Sequence, residues 1–194
     1  MIIGSLLLEE TQAGLIDACR RGDSDALRSL FDLYKDRVYT IALRYSGDCA
    51  TAEDIVQDTF LKLSVALGKF RGDASFDGWL YRLVVNACFD QRRRMRRFLP
   101  MVESLLDFVR GPGHTPLEGI LADERSSAVR DAIARLDPEH RMVVVLRYSL
   151  SLPYEEIAQI LDCPKGTVAS RLNRAHGLLE KRLRGRFGKE TSYV

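Results

Sequence analysis

The chain is short of the residues on which metal proteins and most enzymes rely. Its 194 residues include three histidines, four cysteines and one tryptophan. Cys19, Cys49, Cys88 and Cys163 are scattered, with no CxxC pair and no histidine at zinc-finger spacing, so no structural metal site is expected. Core-filling thiols in a reducing cytoplasm are the plainer reading. His114, His140 and His176 stand in no recognisable catalytic spacing, and neither paired carboxylates nor an activated nucleophile accompany them. An enzyme is therefore not expected, and no cofactor is implied. No apolar run approaches the roughly 20 residues that span a bilayer, so membrane insertion is not expected. The opening MIIGSLLLEE lacks a basic n-region and turns acidic at once, which argues against a signal peptide. A dominant charge is missing too: 29 Lys and Arg against 27 Asp and Glu leave a net +2. That balance alone points to no polyanion partner, but the basic residues are unevenly placed.

What is present is helical rhythm. With 46% hydrophobic and 29% charged residues, the length suits one ordinary domain or two small ones. GDSDALRSLFDLYKDRVYTIALRYSG offers Asp23 or Ser24 as an N-cap. Leu27, Leu30, Phe31, Tyr34, Val38, Ile41, Ala42 and Tyr45 follow at the three-and-four spacing of one buried face. Gly47 ends that helix. CATAEDIVQDTFLKLSVALGKF repeats the format, with Thr51 as the expected cap and Ile55, Val56, Phe60, Leu61, Leu63 and Leu67 as the stripe up to Gly68. A polar loop, RGDASF, leads to a third helix carrying Trp79, Leu80, Leu83, Val84 and Cys88. Helices with one apolar face must bury it against one another, so a compact bundle is expected to about Arg97.

Residues 98–123 hold Pro100, Pro112 and Pro116 with Gly111 and Gly113. They read as a flexible linker, in which MVESLLDFV has the pattern of a short helix. The fold expected is all-α: two small helical domains, 1–98 and 125–187, joined by a linker over 99–124 and followed by a tail over 188–194. MVVVL lies between Pro138 and Tyr148 without a strand partner and reads as buried helix.

The stretch LPYEEIAQILDCPKGTVASRLNRAHGLLEKRL sets two helical patterns about the joint DCPKG. Pro164 disfavours continuation of the first helix, and Asp162 tolerates a left-handed turn. A joint this tight makes the helices cross, as in a helix-turn-helix. Lys165, Thr167, Ser170, Arg171 and Arg174 fall on the exposed side of the second helix, as donors for phosphate oxygens and base edges. The alternative is a small hairpin with a solvated basic face. A second basic focus is NACFDQRRRMRR, where Arg92, Arg93, Arg94, Arg96 and Arg97 face only Asp90. Such a run attracts nucleic-acid backbone, although basic residues also suit a helix C-terminus on their own account.

Two segments resemble the bacterial extracytoplasmic function (ECF) sigma factors, the smallest branch of the RNA polymerase sigma factor family. AEDIVQDTFLKL with FRGDASFDGWLYRLVVNACFDQRRR is similar to the family's second region, and LDPEHRMVVVLRYSLSLPYEEIAQILDCPKGTVASRLNRAHGLLEKRL to its fourth. The resemblance implies a dissociable promoter-specificity subunit without chemistry of its own. It implies that Asp54, Gln57 and Asp58 engage core RNA polymerase, where ordinary helix solvation with Asp54 as a capping residue is the alternative. It assigns the melted strand of the minus-ten element to Asn86, Asp90, Arg93 and Arg94, with Phe76 as a stacking platform, while Trp79 reads as core. The minus-thirty-five element, as duplex, falls to Lys165, Thr167, Ser170, Arg171 and Arg174. An anti-sigma factor is the further partner implied. Asp162 stands where the family often has glycine, His176 where it favours arginine, and Ser64 where a tryptophan is frequent. The competing reading is an ordinary helix-turn-helix regulator whose N-terminal bundle binds an effector or dimerises.

Overall fold

The computed structural model describes residues 12–70, 72, 75–106 and 124–187. Among them the regular structure is helical, with no strand. A short helix α1, residues 12–20, buries Ile16, and the chain turns at Gly22, whose φ of 88° lies in the left-handed region. Asp23 then caps α2 (Ser24–Ser46), accepting from Asp25 N at 2.9 Å and Ala26 N at 3.1 Å. Helix α2 buries Leu30, Tyr34, Val38, Ile41, Ala42 and Tyr45, as the spacing predicts, but Leu27 is only half-buried and Phe31 is exposed. Gly47, at φ 76°, closes the helix by donating to Leu43 O at 2.8 Å.

Helix α3 (Cys49–Ala66) starts earlier than expected: its cap is Asp48, not Thr51. The Asp48 carboxylate accepts from Thr51 N at 2.7 Å, which makes Thr51 the donor at the third position rather than the cap. A 3₁₀ turn (Leu67–Lys69) follows. Helix α4 (Phe76–Leu106) packs on both α2 and α3. It runs past the expected boundary at residue 98 and through Pro100, so the start of the segment read as linker is helix; the RGPGHTP stretch lies outside the described residues.

The C-terminal domain comprises α5 (Glu124–Ala134), α6 (Pro138–Ser149), α7 (Tyr154–Leu161) and α8 (Lys165–Phe187). Pro138 opens α6 at a position where its missing N–H costs nothing, and Met142, Val143, Val144, Val145 and Leu146 are all buried. Between α7 and α8, Asp162 takes the left-handed conformation at φ 50°, ψ 52°, and its N–H returns to the end of α7. The helix-turn-helix is held by Ile157, Ile160, Val168, Leu172 and Ala175, each 4% exposed or less.

The two domains dock on each other, α6 against α2 and α7 against α4. Arg141, 8% exposed, reaches from α6 to donate to Tyr45 O at 2.7 Å and lies 5.5 Å from the Tyr45 ring centroid. The same guanidinium donates to Leu136 O at 3.1 Å and to Ala134 O. Arg82 of α4 answers from the other side by donating to Gln159 O of α7.

Candidate nucleic-acid interface

The first basic surface belongs to α8. Lys165 pairs with Glu155 across the turn, and Ser170 donates to Thr167 O at 3.0 Å. Thr167 is half-buried, its N–H bonded to Pro164 O at 2.8 Å. Arg171 is 24% exposed; its Nη2 lies 2.5 Å from Glu139 Oε2, and its Nη1 4.0 Å from Cys163 Sγ. Arg174 is exposed, with no ion pair among the described residues. The five predicted residues thus share one end of one helix, but two of the three cations already have acidic partners. The Lys165 ammonium holds the Glu155 carboxyl below its ordinary range. His176, one turn on, shares a 2.8 Å hydrogen bond with Tyr148 and is exposed.

The second basic surface lies on α4. Asn86, Arg93 and Arg94 are exposed and Asp90 is half-buried. Asn86, Asp90, Arg93 and Arg94 recur at the spacing of one helical face, which is how a single α-helix brings them together. Asp90 holds Arg93 at 2.8 Å and Lys62 of α3 at 3.0 Å. Partial burial pushes the Asp90 carboxyl up, but those two cations outweigh it and the net shift is downward. Arg92 is half-buried, and its charge acts on Tyr45 and Arg141.

Phe76 does not sit on this surface. It is 5% exposed and its ring packs among Tyr34, Phe70 and Trp79, with centroids 5.4 to 5.7 Å apart. As the first residue of α4 it faces inward to seal the helix start against α2, so no face is left for a base to stack on. Trp79 is half-buried in the same cluster. Of the preceding loop, Arg71, Asp73 and Ala74 lie outside the described residues.

The acidic surface is on α3. Asp54 and Gln57 are exposed, and Asp58 is half-buried with its carboxylate 2.9 Å from Lys62 Nζ. Asp54 is not a cap, since Asp48 performs that role. Beside these residues Leu61 and Val65 are 68% and 79% exposed, and with Lys62, Ala66 and Leu83 they line an apolar groove. Leu61, expected in the core from its place in the apolar stripe, is exposed instead. Sequence reasoning missed Lys62 altogether. Its only signal is the i, i+4 spacing from Asp58.

Among the described residues no group of histidine, cysteine or carboxylate side chains is placed to hold a metal ion, and no helix is long and apolar enough to cross a membrane. Burial pushes the Cys88 thiol up to about 12, as befits a packed rather than a reactive cysteine.

Residues 30–98 match the family model for sigma-70 region 2, and residues 126–176 that for sigma-70 region 4. The ECF RNA polymerase sigma factor SigW of Bacillus subtilis is 32% identical over 87% of this chain and 95% of its own length. The RNA polymerase sigma-H factor of Pseudomonas aeruginosa is 32% identical over 92% of this chain and 96% of its own. The fold is similar to that of the sigma factor RpoE of Bartonella quintana, solved with the anti-sigma factor NepR, at a TM-score of 0.66 and 24% identity over 81% of this chain and 96% of that one. The two regions in order, on two docked helical domains, and the identity along nearly the whole of SigW lead to one conclusion: the chain belongs to the ECF family of RNA polymerase sigma factors.

Proposed function

We propose that this sigma factor divides its work among three surfaces: α3 binds core RNA polymerase, α4 holds the melted strand of the minus-ten element, and α8 reads the minus-thirty-five element as duplex. The observation that carries the division is the separation of charge. Two basic surfaces lie on different domains, and the acidic one, with its exposed Leu61 and Val65, lies on a third helix. Asp54, Gln57 and Asp58 form the polymerase contact, extended by the apolar groove, because exposed leucine and valine beside carboxylates suit a partner that is basic and apolar together. Asn86, Asp90, Arg93 and Arg94 track the unpaired strand. With Phe76 in the core, the base-stacking role passes from it, and polar and charged groups carry this surface.

On α8, Lys165, Thr167, Ser170, Arg171 and Arg174 face the major groove and its phosphates. The acidic partners of Lys165 and Arg171 hold those side chains until phosphates replace them. The protein acts in the cytoplasm, where its polymerase is, and catalyses no reaction itself. A regulator of the anti-sigma class, such as the NepR that accompanies the Bartonella factor, is the further partner.

Reconstitution with bacterial core polymerase and a randomised promoter library tests the whole reading. The expected result is selection of two separated sequence elements, with strand opening at the downstream one, only when core is present. Stable, specific binding to duplex DNA by the chain alone, unaltered by core, would favour an ordinary helix-turn-helix regulator.

A further inference from the structure

Lys62 lies on α3 one turn beyond Asp58. Its ammonium stands 2.9 Å from Asp58 Oδ2 and 3.0 Å from Asp90 Oδ2, and Asp90 gives its other oxygen to Arg93 at 2.8 Å. Four charges of alternating sign therefore run from α3 across to α4. The ends of that chain fall on different surfaces. Asp58 is part of the polymerase face and Arg93 part of the minus-ten face, while Lys62 itself also lines the apolar groove between Leu61 and Val65.

We propose that Lys62 is a positioning residue that couples polymerase engagement at Asp58 to the hold of Arg93 on the melted strand. The inference rests on the functions proposed above for those two surfaces. An ammonium at nearly equal distances from two carboxylates is divided between them by their relative pull. A polymerase cation at Asp58 competes for that carboxylate and repels the ammonium, so Lys62 shifts its weight to Asp90. Asp90, better neutralised, then holds Arg93 less firmly, and the guanidinium, 69% exposed, is released toward phosphate. Linkage makes the effect reciprocal: DNA that draws Arg93 from Asp90 pulls Lys62 away from Asp58 and bares that carboxylate for polymerase. Lys62 remains charged throughout. Partial burial lowers its pKa, but the hydrogen bonds to Asp58 and Asp90 outweigh burial and the net shift is upward.

Each link is a partly exposed ion pair, so each is expected to shift an equilibrium by about 1.5- to 5-fold. The probe is a promoter selected from the library by the parent holoenzyme and prepared with its minus-ten region already unpaired. Binding is measured with holoenzyme at saturating core, over a range of salt. Lys62→Met keeps the aliphatic stem and removes the charge, leaving Asp90 to clamp Arg93. Affinity for the opened probe should fall by about 3-fold, within the span of one exposed ion pair, and the slope of log K against log salt should flatten by up to about 0.7, one single-strand phosphate contact. Lys62→Arg should restore both. In an Arg93→Ala background, Lys62→Met should add nothing, whereas a merely structural lysine would weaken binding in either background. Lys62→Gln serves as the second neutral variant if the methionine protein does not fold. If Arg93→Ala weakens binding and the neutral variants do not, the coupling is wrong while the DNA surface stands. An equal loss in both backgrounds also overturns it. If Arg93→Ala itself has no effect, the reading of the minus-ten surface fails and the coupling falls with it.

Discussion

Arg171 has an intramolecular partner that a sequence alone keeps hidden. It was legible as an exposed basic residue on a second helix, yet it is mostly covered and faces Glu139 from a different helix, a partner 32 residues away. Binding DNA there means exchanging a carboxylate for a phosphate, a smaller gain than meeting phosphate from water. Arg174, without such a partner among the described residues, needs no exchange. Alanine at both positions should weaken upstream duplex binding by the holoenzyme and flatten its salt slope by about 1.8, two duplex phosphate contacts; the circular dichroism of the full chain should not change. Asp58→Arg should lower association with core roughly tenfold or more, since it sets like charges face to face, with little change in thermal melting. Asn86→Ala with Arg93→Ala should leave core association and upstream binding in place. It should diminish strand opening on a linear promoter, read by permanganate reactivity of unpaired thymines, and a pre-opened template should rescue it in part. Phe76 marks the limit of reading residue by residue. An aromatic next to a polar loop has the same sequence signature whether it faces a base or a core, and only the packing of Tyr34, Phe70 and Trp79 around it decides.

At the scale of the element, nearly all of the helices were legible, because periodicity of 3.6 and a stop at Gly47 or Pro164 are written locally. What was not legible is what satisfies their ends. Asp48 rather than Thr51 caps α3, a shift of three residues that sequence cannot arbitrate when Asp48, Thr51 and Asp54 follow one another at three-residue intervals. Asp48→Ala should cost about 1 kcal/mol of stability, measured by chemical unfolding. Its pH dependence has a definite sign. The hydrogen bonds from Thr51 hold the Asp48 carboxyl below its ordinary value, so its contribution is complete above the unfolded pKa and disappears as pH falls through the lower folded one. Helix C-termini show a common device that composition does not reveal. Arg182 donates to Ala132 O and Arg135 O, both at 3.1 Å, Arg141 to Ala134 O and Tyr45 O, and Arg82 to Gln159 O. Each arginine meets carbonyls at the C-terminal end of a helix that is not its own, where a cation is favoured by the helix dipole. A count of basic residues assigns all of them to DNA, and these three belong to the fold.

At the scale of the molecule, the two domains were expected from the sequence and their docking was not, because a linker's composition says nothing of what its ends touch. The contact is reciprocal: Arg141 of the C-terminal domain closes the end of α2, and Arg82 of the N-terminal domain closes the end of α7. Arg82→Ala together with Arg141→Met should loosen it. Small-angle scattering of the full chain should then show the radius of gyration rising from a compact value of about 16 Å; an unchanged radius with retained helicity would mean that apolar packing alone holds the seam. The seam also bears on dose. Any partner that needs the domains apart sees only the open fraction, so its apparent Kd is the intrinsic one divided by that fraction. Every 1.4 kcal/mol of docking free energy then counts as about a tenfold dilution of the protein. For such a partner, two arginines help to set how many copies of the chain are needed before it is occupied.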